Sequence, residues 1–266
     1  MSKKPKDDLG SRMKENYENR SKTSLMRRTP VALRLDGKSF HTFTRGFEKP
    51  FDEILLRTMQ ETMLELCKNI SGCVFGYTQS DEITLILTDY KRLTSEAYFD
   101  YEVQKVCSVA ASMCTMKFNK IFSEKVKNAL YNDSYDKVYL KAMLKAVDTG
   151  AMFDCRAFNI PFEEVTNLIY WRQHDASKNS ISMVARAYFS HKEVNNKNGS
   201  QMQDMLMDKY QINWNNYPTD CKRGSCCIKD LNFKWFVDKE IPIFKGADRS
   251  YIENIIRYSV NTSSEE

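Results

Sequence analysis

Apolar and polar positions change their period several times along the chain, and each change marks an element. The run 31–36, VALRLD, is apolar at four of its first five positions, which predicts a short strand buried on both faces. It stops at Asp36-Gly37. Apolar residues at 55, 59, 63, 66 and 70 then follow a helical period, giving a helix with one buried stripe that Gly72 ends. Residues 73–76 (CVFG) and 83–87 (ITLIL) predict two further short strands, and the six residues 77–82 (YTQSDE) a hairpin connection with two carboxylates at its exit. A second long helix is predicted over 96–122, from the stripe Val103, Val106, Ala110, Met113 and Ile121. A looser, Lys- and Tyr-rich connection leads to a fourth strand over 152–158, stopped by Pro161.

Strand, helix, strand, strand, helix, strand is the order of the split βαβ, or ferredoxin-like, arrangement. The expected class is therefore α+β: a βαββαβ antiparallel sheet with both helices on one face. In that topology the first strand lies beside the hairpin in the middle of the sheet, so Asp36 and Asp81 are expected to meet at one edge.

The flanking segments are less regular. Residues 1–30 are polar and basic, and helix-like spacing at Leu9, Met13 and Tyr17 predicts an arm or helix packed over the domain. Beyond Pro161 we expect a largely buried helix over 163–190, a flexible polar loop at HKEVNNKNGSQ, a short helix over 201–209 and a basic turn over 221–225. A final strand pair is expected within 233–244 and a disordered tail from 261. The expected division is a core with N-terminal arm over 1–160 and a helix, loop and strand extension packed on it over 161–266.

Composition narrows the classes. The chain has 266 residues, 42% hydrophobic and 28% charged, enough for one sizeable core or a core with an attached lobe. No apolar run approaches the ~20 residues of a membrane span, and MSKKPKDDLG is charged where a secretory signal is apolar, so no membrane association is expected. Asp7 and Asp8 argue against a mitochondrial presequence. Eight cysteines without a CxxC pair suit a reducing compartment, which makes the cytoplasm the expected location and the mitochondrion its alternative. Cys221, Cys226 and Cys227 have no fourth ligand nearby in sequence, so a structural zinc is not favoured. A net charge of +5 is compatible with a polyanionic partner, while most basic residues fit ordinary solvated surface.

The chemistry gathers at two acidic points. A carboxylate at the C-terminal lip of a buried strand, followed by a glycine that lets backbone approach a ligand, suits a hard cation. Lys38, Ser39 and His41 place polar groups and free amides beside Asp36, as a phosphate site needs. Alone this is an ordinary Asp-Gly turn; the second acidic pair, Asp81-Glu82, raises it to a candidate site. Asp36 and Asp81 are candidate ligands for Mg²⁺, with Glu82 a ligand or an orienting group behind them. Two ions ~3.5–4 Å apart can activate an attacking hydroxyl and steady leaving pyrophosphate, so the expected chemistry is nucleotide phosphoryl transfer with Asp36, Asp81 and Glu82 as its catalytic residues. Lys38 or Lys49 would help neutralise a triphosphate. His41 has no visible nucleophile partner and receives a binding role only. Arg172, Asp175 and Asn179 share one polar face of the 163–190 helix.

Four stretches together, RLDGKSFHTF, the QSDE turn at 79–82, INWNN at 212–216 and KRGS at 222–225, resemble the histidine-tRNA guanylyltransferase superfamily, enzymes that add nucleotides to the tRNA 5′ end in the 3′-to-5′ direction. The resemblance runs from about residue 8 to 230 in matching order. It implies a polymerase-type palm, with two Mg²⁺ held by Asp36, the Gly37 carbonyl and Asp81. It also implies a nucleotide site made by Asp36, Gly37, Lys38, Ser39, Phe40, His41, Ser80, Asp81 and Asn179, with Lys49 near the triphosphate. GTP, ATP and other nucleoside triphosphates would be substrates, tRNA the partner, and a homotetramer the assembly. Arg172, Lys222 and Arg223 are candidates for RNA phosphate contacts, with surface charge the competing account for the last two.

The helix reads RQHDASKNSIS where the eukaryotic enzymes carry a HINNLYN segment, so Ser177 stands in place of the histidine while Asn179 is kept. With AYFSHKE at 187–193, this is similar to the guanylyltransferase-like branch associated with templated repair of tRNA 5′ ends. The expected activity is thus template-dependent 5′ addition; addition of G at position −1 of histidine tRNA is the alternative. A nucleotidyl cyclase on the same palm is disfavoured because Gln79-Ser80 stands where such enzymes have Gly-Gly. A non-catalytic RNA-binding module would read RNA with aromatics on its strands, whereas these strands are aliphatic with acidic ends.

Overall fold

The structure, a computed structural model, describes residues 8–92, 94–132 and 135–258. The tail expected to be disordered from 261 lies outside the described residues. Among the described residues, six strands form one antiparallel sheet, in the spatial order Phe153–Asn159, Val31–Gly37, Glu82–Leu87, Cys73–Gln79, Ser225–Lys229, Trp235–Asp238.

The chain opens with α1 (Asp8–Asn16) and a 3₁₀ turn (Glu18–Ser21). The spacing at Leu9, Met13 and Tyr17 is helical as read, but the stripe is not packed: these side chains are 59%, 42% and 67% exposed. Next come β1 (Val31–Gly37), the single helical turn α2 (Phe40–Phe43) and α3 (Glu53–Asn69). In β1, Val31, Leu33 and Leu35 face one core and Ala32 the other. Asp52 caps α3 by accepting the Leu55 N–H at 2.9 Å.

β2 (Cys73–Gln79) and β3 (Glu82–Leu87) are longer than the apolar pattern indicates. The six-residue connection expected over 77–82 is a two-residue turn, Ser80-Asp81, with Ser80 in the left-handed region at φ 50°. Thr78, Gln79 and Glu82 are polar yet belong to the ladder, Gln79 opposite Glu82, and the Thr78 hydroxyl donates to the Glu82 carbonyl at 2.9 Å.

The second long helix, α4 (Val103–Ala129), starts later than residue 96, because Tyr98–Tyr101 is a 3₁₀ turn with Phe99 and Asp100 at positive φ. The segment expected to be a loose connection contains α5 (Lys137–Thr149), whose N-cap Asp136 accepts the Val138 N–H at 3.1 Å. Its stripe of Tyr139, Met143 and Ala146 is buried. β4 (Phe153–Asn159) then pairs with β1 as an edge strand.

Helices α3 and α4 cover one sheet face, as the ferredoxin-like reading requires, with α5 beside α4. The opposite face is covered by α6 (Phe162–Tyr188), whose Val165 and Ile169 meet Ala32, Phe75, Tyr77 and Ile86. The polar loop after it holds the turn α7 (His191–Val194) and the start of α8 (Gly199–Tyr210). The 3₁₀ turn Trp214–Asn216 precedes α9 (Thr219–Arg223), so the expected basic turn at 221–225 is helical up to Arg223. The last strands are β5 (Ser225–Lys229) and β6 (Trp235–Asp238), not a pair within 233–244. β5 pairs with β2 and so extends the central sheet. A 3₁₀ turn (Gly246–Arg249) and α10 (Ser250–Tyr258), with Ile252 and Ile256 on the α6 side, complete the fold. Cys226 and Cys227 point to opposite faces of β5, which keeps them from sharing one ion.

Candidate active site

The acidic edge forms where β1 ends beside the β2–β3 turn. Asp36 stands opposite Glu82 in the ladder, and the Gly37 N–H donates to the Asp81 carbonyl at 3.1 Å, stitching the two motifs together. A Cβ at Gly37 would run into the Phe40 ring, so glycine is required there by close approach. Burial pushes the Asp81 carboxyl above the ordinary carboxylate range and nearby Asp36 adds to it, while the Ser80 hydroxyl, donating at 2.9 Å, opposes the shift.

Glu82 is engaged differently. It is 5% exposed, accepts from Arg172 Nε at 2.6 Å and has Arg34 Nε at 3.8 Å from its other oxygen. Both carboxylate oxygens thus face guanidinium groups, and Glu82 orients the strand end that carries Asp81 rather than offering a free ligand. Its carboxyl is nonetheless raised by burial, with the two arginines pulling the other way.

In front of this edge lies a cleft of about 620 Å³, within the size range of small-molecule sites. Of the predicted nucleotide contacts, Asp36, Gly37, Ser39, Phe40, His41, Lys49, Ser80 and Asp81 line it. Lys38 and Asn179 do not. The Lys38 N–H donates to the Met152 carbonyl at 2.8 Å, so with Gly37 also engaged the expected cradle of free amides shortens to the turn at 39–41. Phe40 contributes an edge to the cleft, but its ring is buried against Phe43, Phe118 and Phe153, which form the turn's floor. The wall at 48–50 hangs on Asp52, whose Oδ2 accepts the Glu48 N–H at 3.1 Å and the Tyr139 hydroxyl at 2.9 Å.

The tRNAHis guanylyltransferase (Thg1) family profile matches residues 10–161, more than half of the chain and the part that builds this edge. The chain belongs to that family. It is a nucleotidyltransferase of the tRNAHis guanylyltransferase type, as the family match and its relatives show. An uncharacterised protein of Acanthamoeba polyphaga mimivirus is 30% identical over 85% of this chain and 78% of its own length. A probable tRNA(His) guanylyltransferase of Dictyostelium discoideum is 26% identical over 87% and 86%. Among solved structures, a bacterial tRNA(His) guanylyltransferase (Thg1)-like protein in complex with ATP superimposes with TM-score 0.80 at 45% identity, covering 93% of this chain and 99% of that one. The Saccharomyces cerevisiae tRNA(His) guanylyltransferase shares the fold at TM-score 0.63 and 21% identity over 80% of this chain and 91% of its own. Thg1-type architecture accounts for the six-stranded antiparallel sheet, whose core is the ferredoxin-like arrangement expected from the strand order and the palm implied by the resemblance.

Within this Thg1 fold the motifs at 212–216 and 222–225 act as struts. Trp214 Nε1 donates to Ser180 Oγ at 3.1 Å, and Ser180 Oγ donates to the Lys222 carbonyl at 3.1 Å. Lys222 is 8% exposed and its ammonium donates to the Asn215 carbonyl at 2.6 Å, so it is tied into the fold and not presented to a phosphate. Gly224 has φ 81°, and a Cβ there would strike the Thr78 carbonyl. Asp220, one residue before the cysteine that precedes KRGS, accepts from Arg57 at 2.6 Å and Gln60 at 3.0 Å, which fastens α9 to α3. Arg172 is committed to Glu82 and to Asp175 at 2.9 Å. Arg223 remains half-buried, and its carbonyl accepts the Tyr77 hydroxyl at 2.7 Å.

Several lining residues were not anticipated. Glu48 and Asp52 come from the wall, and Met183 and Arg186 from the last turns of α6. Asn179 sits four and seven residues before that pair, on the same helix face; its i, i+7 spacing to Arg186 was the available signal. Asp154 stands opposite Asp36 in β4, a neighbour that only the register reveals.

Proposed function

We propose that this chain adds nucleotides, directed by a template, to the 5′ end of tRNA in the 3′-to-5′ sense. The observation that carries the reading is the stitch between Gly37 and Asp81, which brings Asp36 and Asp81 to one floor beneath a cleft walled by Ser39, Lys49 and Ser80. The bacterial Thg1-like protein, solved with ATP and in another structure with GTP at 42% identity, supports ATP and GTP as substrates. The higher identity to that protein than to the yeast enzyme, together with Ser177, favours templated 5′-end repair or editing over obligatory G addition to histidine tRNA.

Two carboxylates and the Gly37 carbonyl form a hard-oxygen donor set, in which burial first, and the Asp36 charge to a lesser degree, raise the Asp81 carboxyl. That set fits Mg²⁺, which keeps waters and completes its shell with substrate phosphates. Bound there, the two ions would neutralise triphosphate charge and acidify an attacking hydroxyl. Asp36, Gly37 and Asp81 would hold them. Ser39, Ser80 and Lys49 would bind phosphate oxygens, and Glu82, clamped by Arg172, would keep the turn from shifting. In the reaction, a nucleotide 3′-hydroxyl attacks the activated 5′ phosphate of the RNA, and the bond from that phosphorus to AMP or pyrophosphate breaks. Assembly as a homotetramer and residence in the cytoplasm belong to the same proposal.

The test is incubation with Mg²⁺, labelled nucleotides and a tRNA lacking its first 5′ nucleotide. Label that appears at the 5′ end and follows the base opposite it supports the reading. Label confined to histidine tRNA favours the guanylyltransferase alternative, and RNA binding without label overturns both.

A further inference from the structure

The cleft is lined by four carboxylates, Asp36, Glu48, Asp52 and Asp81, and by two strong cations, Lys49 and Arg186. The cations come from different walls: Lys49 from the segment before α3, Arg186 from the last turn of α6. Arg186 is exposed, and among the described residues it forms no salt bridge. A guanidinium left without a carboxylate partner beside four of them is held for an anion that arrives from outside. The buried Glu82 is already taken by Arg172.

We propose that Arg186 is a polyphosphate-binding residue, closing on the β- and γ-phosphates of the nucleotide from the side opposite Lys49. The inference rests on the reading of the cleft as the nucleotide site. α6 supplies the geometry: Met183 lines the cleft three residues before Arg186, so the helix offers an apolar contact and a forked donor on one surface. The shared chemistry is phosphate, and a nucleotide polyphosphate is the source favoured over an RNA 5′ phosphate because Arg186 shares its cavity with Ser39 and Ser80.

The experiment measures dissociation constants for ATP, AMP and a 5′-phosphorylated RNA oligonucleotide, all in Mg²⁺, on the full chain and its variants. Arg186→Gln is expected to weaken ATP about tenfold and AMP less than about twofold, with Arg186→Lys recovering part of the loss. ATP binding left unchanged, ATP and AMP weakened equally, or loss confined to the RNA oligonucleotide would each overturn the assignment. Asp81→Asn serves as the control on the underlying reading. If it leaves ATP affinity untouched, the cleft is not the nucleotide site and the inference falls with that reading. If Asp81→Asn weakens ATP and Arg186→Gln does not, only the inference falls.

Discussion

Arg172 Nε lies 2.6 Å from a Glu82 carboxylate oxygen, on a helix and a strand separated by ninety residues of chain. The two side chains are 11% and 6% exposed, so removing Arg172 leaves the buried Glu82 carboxylate with only Arg34 Nε, at 3.8 Å, to answer its charge. Arg172→Ala should therefore cost about 3 kcal/mol in urea unfolding. Exchanging both partners for apolar residues of similar volume should cost less than the single change. A single variant as stable as the parent would remove Glu82 from its orienting role.

Asp81 is placed to hold ions and not to hold RNA. Asp81→Ala should lower nucleotide incorporation by at least about a thousandfold while most RNA affinity stays. Filter binding beside single-turnover incorporation checks both halves, and parallel loss of the two would point to a folding defect.

Tyr139 reaches the cleft wall through a hydrogen bond to Asp52. Tyr139→Phe removes one of three donors to that carboxylate, loosening the segment that carries Lys49. The expected result is an increase in KM for the nucleotide of roughly threefold to tenfold with kcat little changed. Equal loss in kcat with KM fixed would assign the hydroxyl another job.

Gly224 occupies a left-handed backbone against the Thr78 carbonyl. Gly224→Ala should destabilise the chain by roughly 1–3 kcal/mol, and a melt unchanged from the parent would show that β5 can shift at no cost.

The pair Glu65–Lys117, at 2.9 Å, ties α3 to α4. Lys117, the first of two lysines beside it, holds the Glu65 carboxyl below its ordinary value of 4.5. A depressed carboxyl binds fewer protons in the native than in the unfolded state, so its contribution is present above the ordinary value and is lost as pH falls through the depressed one. Lys117→Met should cost roughly 0.5–1 kcal/mol at neutral pH, and the difference from the parent should shrink at pH ~3. A gap that widens on acidification would contradict this sign.

Local pattern carried the core of the fold. The near-continuous apolar run at β1 and the stripes of α3 and α4 are burial patterns, and burial is what a strand or helix face must satisfy wherever it docks. The polar ends of β2 and β3 were illegible for the same reason: Thr78, Gln79 and Glu82 are strand because ladder partners and a hydroxyl bond hold them. α5 was hidden by its lysines and tyrosines, although Tyr139, Met143 and Ala146 keep helical spacing. Lys222 illustrates the opposite error, a basic residue in a motif whose ammonium turned out to be spent on Asn215.

The amino-acid sequence by itself determined the arrangement of the first four strands and the convergence of Asp36 with Asp81, because a βαββαβ chain has few ways to bury its apolar faces. It determined the family through four short motifs. Tertiary structure alone decided which charges are free. Arg172 and Lys222 are bound within the fold while Arg186 faces the cleft, a difference set by distances between elements far apart in the chain. An ionised side chain carries the same charge everywhere along a sequence; only its neighbours in space determine whether that charge is already paired.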